Sequence, residues 1–119
     1  MAKTLVFGAS LKPYRYSNLA IHRLVDNNFE TVAFGPLEGK VSGVDVVDSL
    51  DGFEDIDTVT LYLNPKRQKE YYQKILDLKP RRVIFNPGTE NPEFYQILKD
   101  AGVAVEEACT LVLLTTGQY

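Results

Sequence analysis

The stretch LVFGASLKPYRYSN, residues 5–18, decides the fold. It opens as an apolar run, Leu5-Val6-Phe7, and breaks at Gly8. It then crosses a loop carrying Lys12 and Arg15 and reaches Ser17, where a helical pattern starts. A short apolar run bounded by glycine suits a central strand of a parallel sheet, covered on both faces. Ser17 suits the N-cap of a helix reaching to about Asn28, with Ile21, Leu24 and Val25 at core spacing. Backbone N–H groups around Gly8 to Ser10, with the N-terminus of that helix, favour negative charge at this turn.

The same alternation continues outward. ETVAF at 30–34 reads as the next strand, followed by a Gly/Pro-punctuated loop, GPLEGKVSG, to residue 43. VDVVDSL at 44–50 reads as a short strand or an extended passage, and DTVTLYL at 57–63 as a strand rich in β-branched and aromatic residues. Asn64-Pro65 ends that strand and opens a helix to about Leu78, because proline loses nothing at a first helical position. Pro80 closes that helix, and RRVIFN at 81–86 is a further buried strand. Phe94, Ile97, Leu98 and Ala101 give one apolar stripe to a helix over about 92–101, Gly102 stops it, and VAVEEA forms the last strand. The pattern predicts one α/β domain over residues 1–119. It is a single Rossmann-type doubly wound, mostly parallel sheet of five or six strands with helices on both faces. Ligands of such sheets sit outside the carboxyl ends of the strands, which selects the loops at 8–17, 35–43, 63–66 and 86–91.

Composition narrows the function. No apolar run reaches the roughly 18–20 residues of a membrane helix, and no signal-peptide pattern opens the chain, so a cytoplasmic location is expected. One cysteine, Cys109, and one histidine, His22, supply neither a disulfide framework nor a structural zinc site. A net charge of −3 gives no reason to expect nucleic acid, and any anionic ligand, such as a small nucleotide, must be held by local positive charge against the sign of the whole molecule. Lys12, Arg15 and Lys40, with Ser10 and Ser17, are the candidates. The bland alternative is three solvated surface charges. For Tyr62 and Pro65 the alternative to a ligand wall is strand-end packing and a helix start. A Cys109–His22 nucleophile pair is disfavoured, since His22 reads as a solvent-facing helical residue. The carboxylates Asp45, Asp48, Asp51, Glu54, Asp55 and Asp57 match no calcium loop and read as a solvated face. LVLL at 111–114 reads as a covered strand or a dimer contact.

The turn departs from the dinucleotide fingerprint. A G-x-G-x-x-G run from Gly8 needs glycines where Ser10 and Pro13 stand, and the second strand ends in Phe34-Gly35-Pro36 without the acid that binds a ribose 2′-hydroxyl. Glu38 lies further into the loop. An excess of cations suits a ligand carrying more phosphate than NAD.

These residues resemble the CoA-binding domain family, which includes the N-terminal domain of the succinyl-CoA synthetase α subunit and short stand-alone bacterial CoA-binding proteins. VFGASLKPYRYSN is similar to that family's opening GAS-x-K turn. GPLEGKVSGVDVVDSLDGFEDIDTVTLYLNP is similar to its Gly-rich, Lys-containing loop leading through S-L to a strand that ends in proline. GTENPEFYQILKDAGVAVEEAC is similar to its closing segment. The resemblance implies that Gly8, Ala9, Ser10 and Lys12 receive the phosphates of coenzyme A, with Arg15 and Ser17 assisting. Gly35, Pro36 and Lys40 would flank the nucleotide. Tyr62, Leu63, Asn64 and Pro65 would form a wall for adenine or ribose, and Asn86, Pro87, Gly88 and Thr89 would line the pantetheine path. The tail CTLVLLTTGQY lacks the lysine the family often carries there. The family's ligases carry their phosphorylated histidine on a later domain, so the resemblance implies no catalytic and no metal-binding residues here.

The expected function is therefore non-catalytic or accessory binding of coenzyme A or an acyl-CoA, with homodimerisation or a separate acyl-CoA enzyme as the partner alternatives. The competing reading is an NAD(P)-dependent oxidoreductase or NAD(P)-sensing domain, in which Lys12, Arg15 and Lys40 hold a 2′-phosphate. A third is an interaction subunit whose pocket has decayed.

Overall fold

The computed structural model describes residues 2–119. Its seven strands are β1 (Lys3–Phe7), β2 (Glu30–Phe34), β3 (Gly39–Val41), β4 (Val44–Val47), β5 (Ile56–Leu61), β6 (Arg82–Phe85) and β7 (Ala104–Glu107). They form one sheet in the order β3-β4-β2-β1-β5-β6-β7. All pairings are parallel except β3 with β4. The apolar run Leu5-Val6-Phe7 is wholly buried at the centre. Side chains alternate across the sheet, so Leu5 and Phe7 join one core and Val6 the other.

The Val6 face is covered by α1 (Tyr16–Asp26), through Ile21 and Leu24, and by α5 (Thr110–Thr115), through Leu114. The Leu5/Phe7 face is covered by Ile75 of α3 (Tyr72–Asp77) and by Phe94 and Leu98 of α4 (Pro92–Asp100). Each fully buried side chain of this size contributes about 1.5–3 kcal/mol. The chain moves from β1 through α1 to β2 on one side, and from β5 to β6 to β7 on the other. The switch point of the doubly wound sheet thus lies between β1 and β5, and the loops that follow them part there.

Five expectations are corrected. The sheet has seven strands because the loop after β2 hides β3, closed onto β4 by Ser42 and Gly43, both at positive φ (49° and 80°) as a tight hairpin requires. The apolar tail at 111–114 is helix α5 and not a strand. The expected helix from Pro65 to Leu78 is broken into α2 (Pro65–Gln68), a 3₁₀ turn (Lys69–Tyr71) and α3. Helix α1 starts two residues earlier than read, with Arg15 and not Ser17 at the cap position. In α4, Ala101 is the exposed C-cap and not part of the core stripe. Among the described residues, no helix is long and apolar enough to cross a membrane.

Candidate functional site

The site begins where β1 ends. Gly8 adopts φ +94°, a conformation glycine takes at little cost, and a Cβ there would meet Leu63 Cδ2 at 3.0 Å. The N–H groups of Gly8 and Ala9 both donate to the carbonyl of Phe34, at 2.9 and 2.8 Å, and so close the turn against β2. Gly35 completes this join: its N–H donates to Val47 at 2.9 Å. A Cβ at Gly35 would lie 2.2 Å from the Ala9 carbonyl oxygen.

The loop from Ser10 to Arg15 is then held by its own polar groups. Ser10 N–H donates to Ser17 Oγ (3.1 Å), Lys12 N–H to Ser10 Oγ (3.1 Å), Arg15 N–H to the Lys12 carbonyl (3.1 Å), and Asn18 Nδ2 to the Ser10 carbonyl (2.9 Å). The N–H groups of Gly8, Ala9 and Ser10 thus all have acceptors within the chain. The free donors lie further on. The N–H groups of Leu11, Tyr14, Tyr16 and Ser17 have no acceptor among the described residues. Ser10 Oγ and Ser17 Oγ accept from Lys12 N–H and Ser10 N–H, which leaves each hydroxyl proton free for a further acceptor.

The residues that carry these donors line a cleft of about 690 Å³ at the switch point. It is lined by Gly8, Ala9, Ser10, Leu11, Lys12, Tyr14, Arg15, Tyr16 and Ser17 from the first crossover and by Pro36 and Leu37 after β2. Tyr62 and Leu63 after β5, Arg67 on α2 and Pro87 after β6 complete it. Lys12, Arg15 and Arg67 bring three positive charges, and none pairs with a carboxylate among the described residues. Among the described residues no Asp, Glu, His or Cys lines the cleft, although acids outnumber bases in the sequence by 16 to 13. Tyr62 supplies no base either, because burial pushes its phenol up to about 12. Tyr14, Tyr16 and Leu37 are large apolar side chains left exposed at the rim.

Of the residues picked out from sequence, the cleft brings together Gly8, Ala9, Ser10, Lys12, Arg15, Ser17, Pro36, Tyr62, Leu63 and Pro87. It does not gather Gly35, Lys40, Asn64, Pro65, Asn86, Gly88 and Thr89. Lys40 sits on β3 in register with Asp45 and forms a 3.1 Å ion pair with it, so the hairpin turns its charge elsewhere. Asn64 caps α2 by accepting from Arg67 N–H at 3.0 Å, and Pro65 opens that helix. Gly88, at φ +94°, donates to Glu90 Oε1 at 2.9 Å.

Asn86 is buried and ties three elements together. Its Nδ2 donates to Thr60 Oγ1 (2.8 Å) and the Leu61 carbonyl (2.9 Å), while its Oδ1 accepts from Thr110 N–H (2.9 Å). Its carbonyl accepts from Thr89 Oγ1 at 2.7 Å, and Gln68 Nε2 donates to the carbonyls of Leu63 and Thr89, both at 2.8 Å. The sequence reading passed over Leu11, Tyr14, Tyr16, Leu37 and Arg67. Two aromatics inside a cationic loop were a signal for Tyr14 and Tyr16. Arg67 had none, since its relevance depends on where α2 turns.

The comparisons with known proteins agree with this geometry. A family described as CoA binding domain matches residues 2–115. A crystal structure of an uncharacterized protein is 44% identical, with a TM-score of 0.96, covering 100% of this chain and 98% of its own. A Thermus thermophilus protein superposes at TM-score 0.88 with 24% identity, over 99% of this chain and 90% of its own. A hypothetical protein from Pyrococcus horikoshii OT3 does so at 0.83 with 25% identity, over 92% and 78%. No curated protein matches the sequence. With the family matched over nearly all its length, and with the doubly wound sheet and switch-point cleft in place, this chain belongs to the CoA-binding domain family.

Proposed function

We propose that this chain binds coenzyme A or an acyl-CoA in the switch-point cleft, as a binding module without chemistry of its own. One observation carries the reading: three cations and no anion line a single cleft, beside four free backbone N–H groups, in a chain of net charge −3. That arrangement favours a ligand with several negative charges. Coenzyme A has a diphosphate and a ribose 3′-phosphate. The diphosphate goes to the first crossover, where Lys12 and Arg15 stand beside the N–H groups of Leu11, Tyr14, Tyr16 and Ser17. The apolar surfaces of Tyr14, Tyr16, Leu37 and Leu63 suit adenine and the pantetheine stem.

The absence of carboxylate, imidazole and thiol from the lining supports binding without turnover. A module of this kind serves by presenting its thioester to a separate enzyme. An NAD site is disfavoured by Phe34-Gly35-Pro36, which offers no acid to a ribose 2′-hydroxyl. Ligand-induced thermal stabilisation tests the proposal. CoA at a hundredfold its dissociation constant adds about 2.7 kcal/mol, a rise of several degrees in Tm for a domain of this size. An unchanged Tm at millimolar CoA, with the protein folded, overturns it.

A further inference from the structure

We infer that Arg67 holds the ribose 3′-phosphate, and so sets the preference of this site for coenzyme A over its 3′-dephospho form. The inference rests on the CoA reading above and adds the division of labour among the three cations. Lys12 and Arg15 share one stretch of chain with the four free N–H groups and the hydroxyls of Ser10 and Ser17. That many short donors on one strip of backbone match a diphosphate, which presents oxygens along its length.

Arg67 comes from the other loop that parts at the switch point, on α2, and its surroundings differ. Its own N–H donates to the Asn64 carbonyl (3.1 Å) and to Asn64 Oδ1 (3.0 Å), and Gln68 N–H donates to the same carbonyl (3.1 Å). Pro65 has no N–H to offer. The N–H groups of Arg67 and Gln68 are thus occupied, and the Arg67 guanidinium is the charged group that α2 brings to the cleft. A planar fork of donors, always charged, suits a terminal phosphomonoester, which bears close to two negative charges and three free oxygens. The guanidinium is also uncommitted. Lys69, two residues on, pairs with Glu93 at 4.0 Å, whereas Arg67 is exposed and pairs with no carboxylate among the described residues.

Titration calorimetry of the wild type, R67A and K12A with CoA and with 3′-dephospho-CoA tests this assignment. The wild type is expected to bind CoA about ten- to a hundredfold more tightly than dephospho-CoA, the worth of one charge-assisted contact. R67A loses that difference: CoA affinity falls by the same factor, and dephospho-CoA affinity stays within about twofold of wild type. K12A weakens both ligands alike. An R67A that weakens both ligands equally, or neither, overturns the inference while leaving the CoA reading standing. A wild type that binds neither ligand overturns both. Arg67 is exposed and only its backbone joins the Asn64 cap, so R67A keeps the fold, and an unchanged denaturation midpoint verifies this.

Discussion

Replacing Asn86 by alanine separates a ligand-lining role from a scaffold role. The side chain makes three hydrogen bonds, to Thr60 Oγ1, the Leu61 carbonyl and Thr110 N–H, and only 2% of the residue is exposed. Each bond contributes about 1 kcal/mol net, and the Thr110 N–H, on a residue with no exposed surface, is left without its acceptor. The expected loss is about 3 kcal/mol, which for a domain of this size lowers Tm by roughly 10–15 °C. Urea denaturation reads it as a lower midpoint with unchanged slope. N86D sharpens the test. Aspartate keeps an acceptor for Thr110 but turns a second oxygen toward Thr60 Oγ1 and the Leu61 carbonyl, and burial raises its pKa. Its deficit therefore grows as pH rises above the ordinary carboxylate range and shrinks in acid, where the protonated carboxyl donates one bond. An N86A protein that keeps its stability yet loses CoA would refute the scaffold reasoning and restore the pantetheine role implied by family resemblance.

Three further outcomes are expected. The K12A/R15A double variant weakens CoA binding about a hundredfold and flattens its salt dependence, while both sites are exposed and Tm holds; calorimetry at two ionic strengths checks this. G35A loses about 3 kcal/mol in chemical denaturation, because its Cβ would lie 2.2 Å from the Ala9 carbonyl oxygen and no rotamer relieves a backbone clash. Asp57 accepts from Arg81 Nε (2.8 Å), Arg81 Nη2 (3.0 Å) and Thr58 Oγ1 (2.7 Å), and the Arg81 contact holds its carboxyl below the ordinary 3.8. Its contribution is thus present above pH 3.8 and lost as pH falls through the lower folded value, so the stability gap between wild type and D57N is expected at pH 7 and to narrow progressively below pH 3.8.

The central sheet was readable because its strands announce themselves. Leu5-Val6-Phe7, Thr58 to Leu61 and Val83 to Phe85 are buried throughout, and helical segments lie between them in the chain. The hairpin was not readable, since Gly39 and Lys40 at the sheet's edge carry no alternation, and the Ser42-Gly43 turn has the composition of a loop. Leu111 to Leu114 gave the wrong element because a short apolar run fits a strand or a helix equally well. Within the site, Gly8 to Ser17 form one local turn, and sequence proximity was enough to group them. Lys40 and Arg67 show where that logic stops. Lys40 stands close to Pro36 in sequence but is carried off by the hairpin to Asp45. Arg67, far from the first loop in sequence, is brought to it by the parting of two crossovers.

The central claim is that the first crossover and α2 together hold coenzyme A in preference to a nicotinamide dinucleotide. Titration with CoA, NAD+ and NADP+ at one ionic strength tests it most directly. The account predicts saturable binding of CoA, tighter than either dinucleotide. Tighter binding of NAD+ or NADP+, or no heat with millimolar CoA from a folded protein, contradicts it.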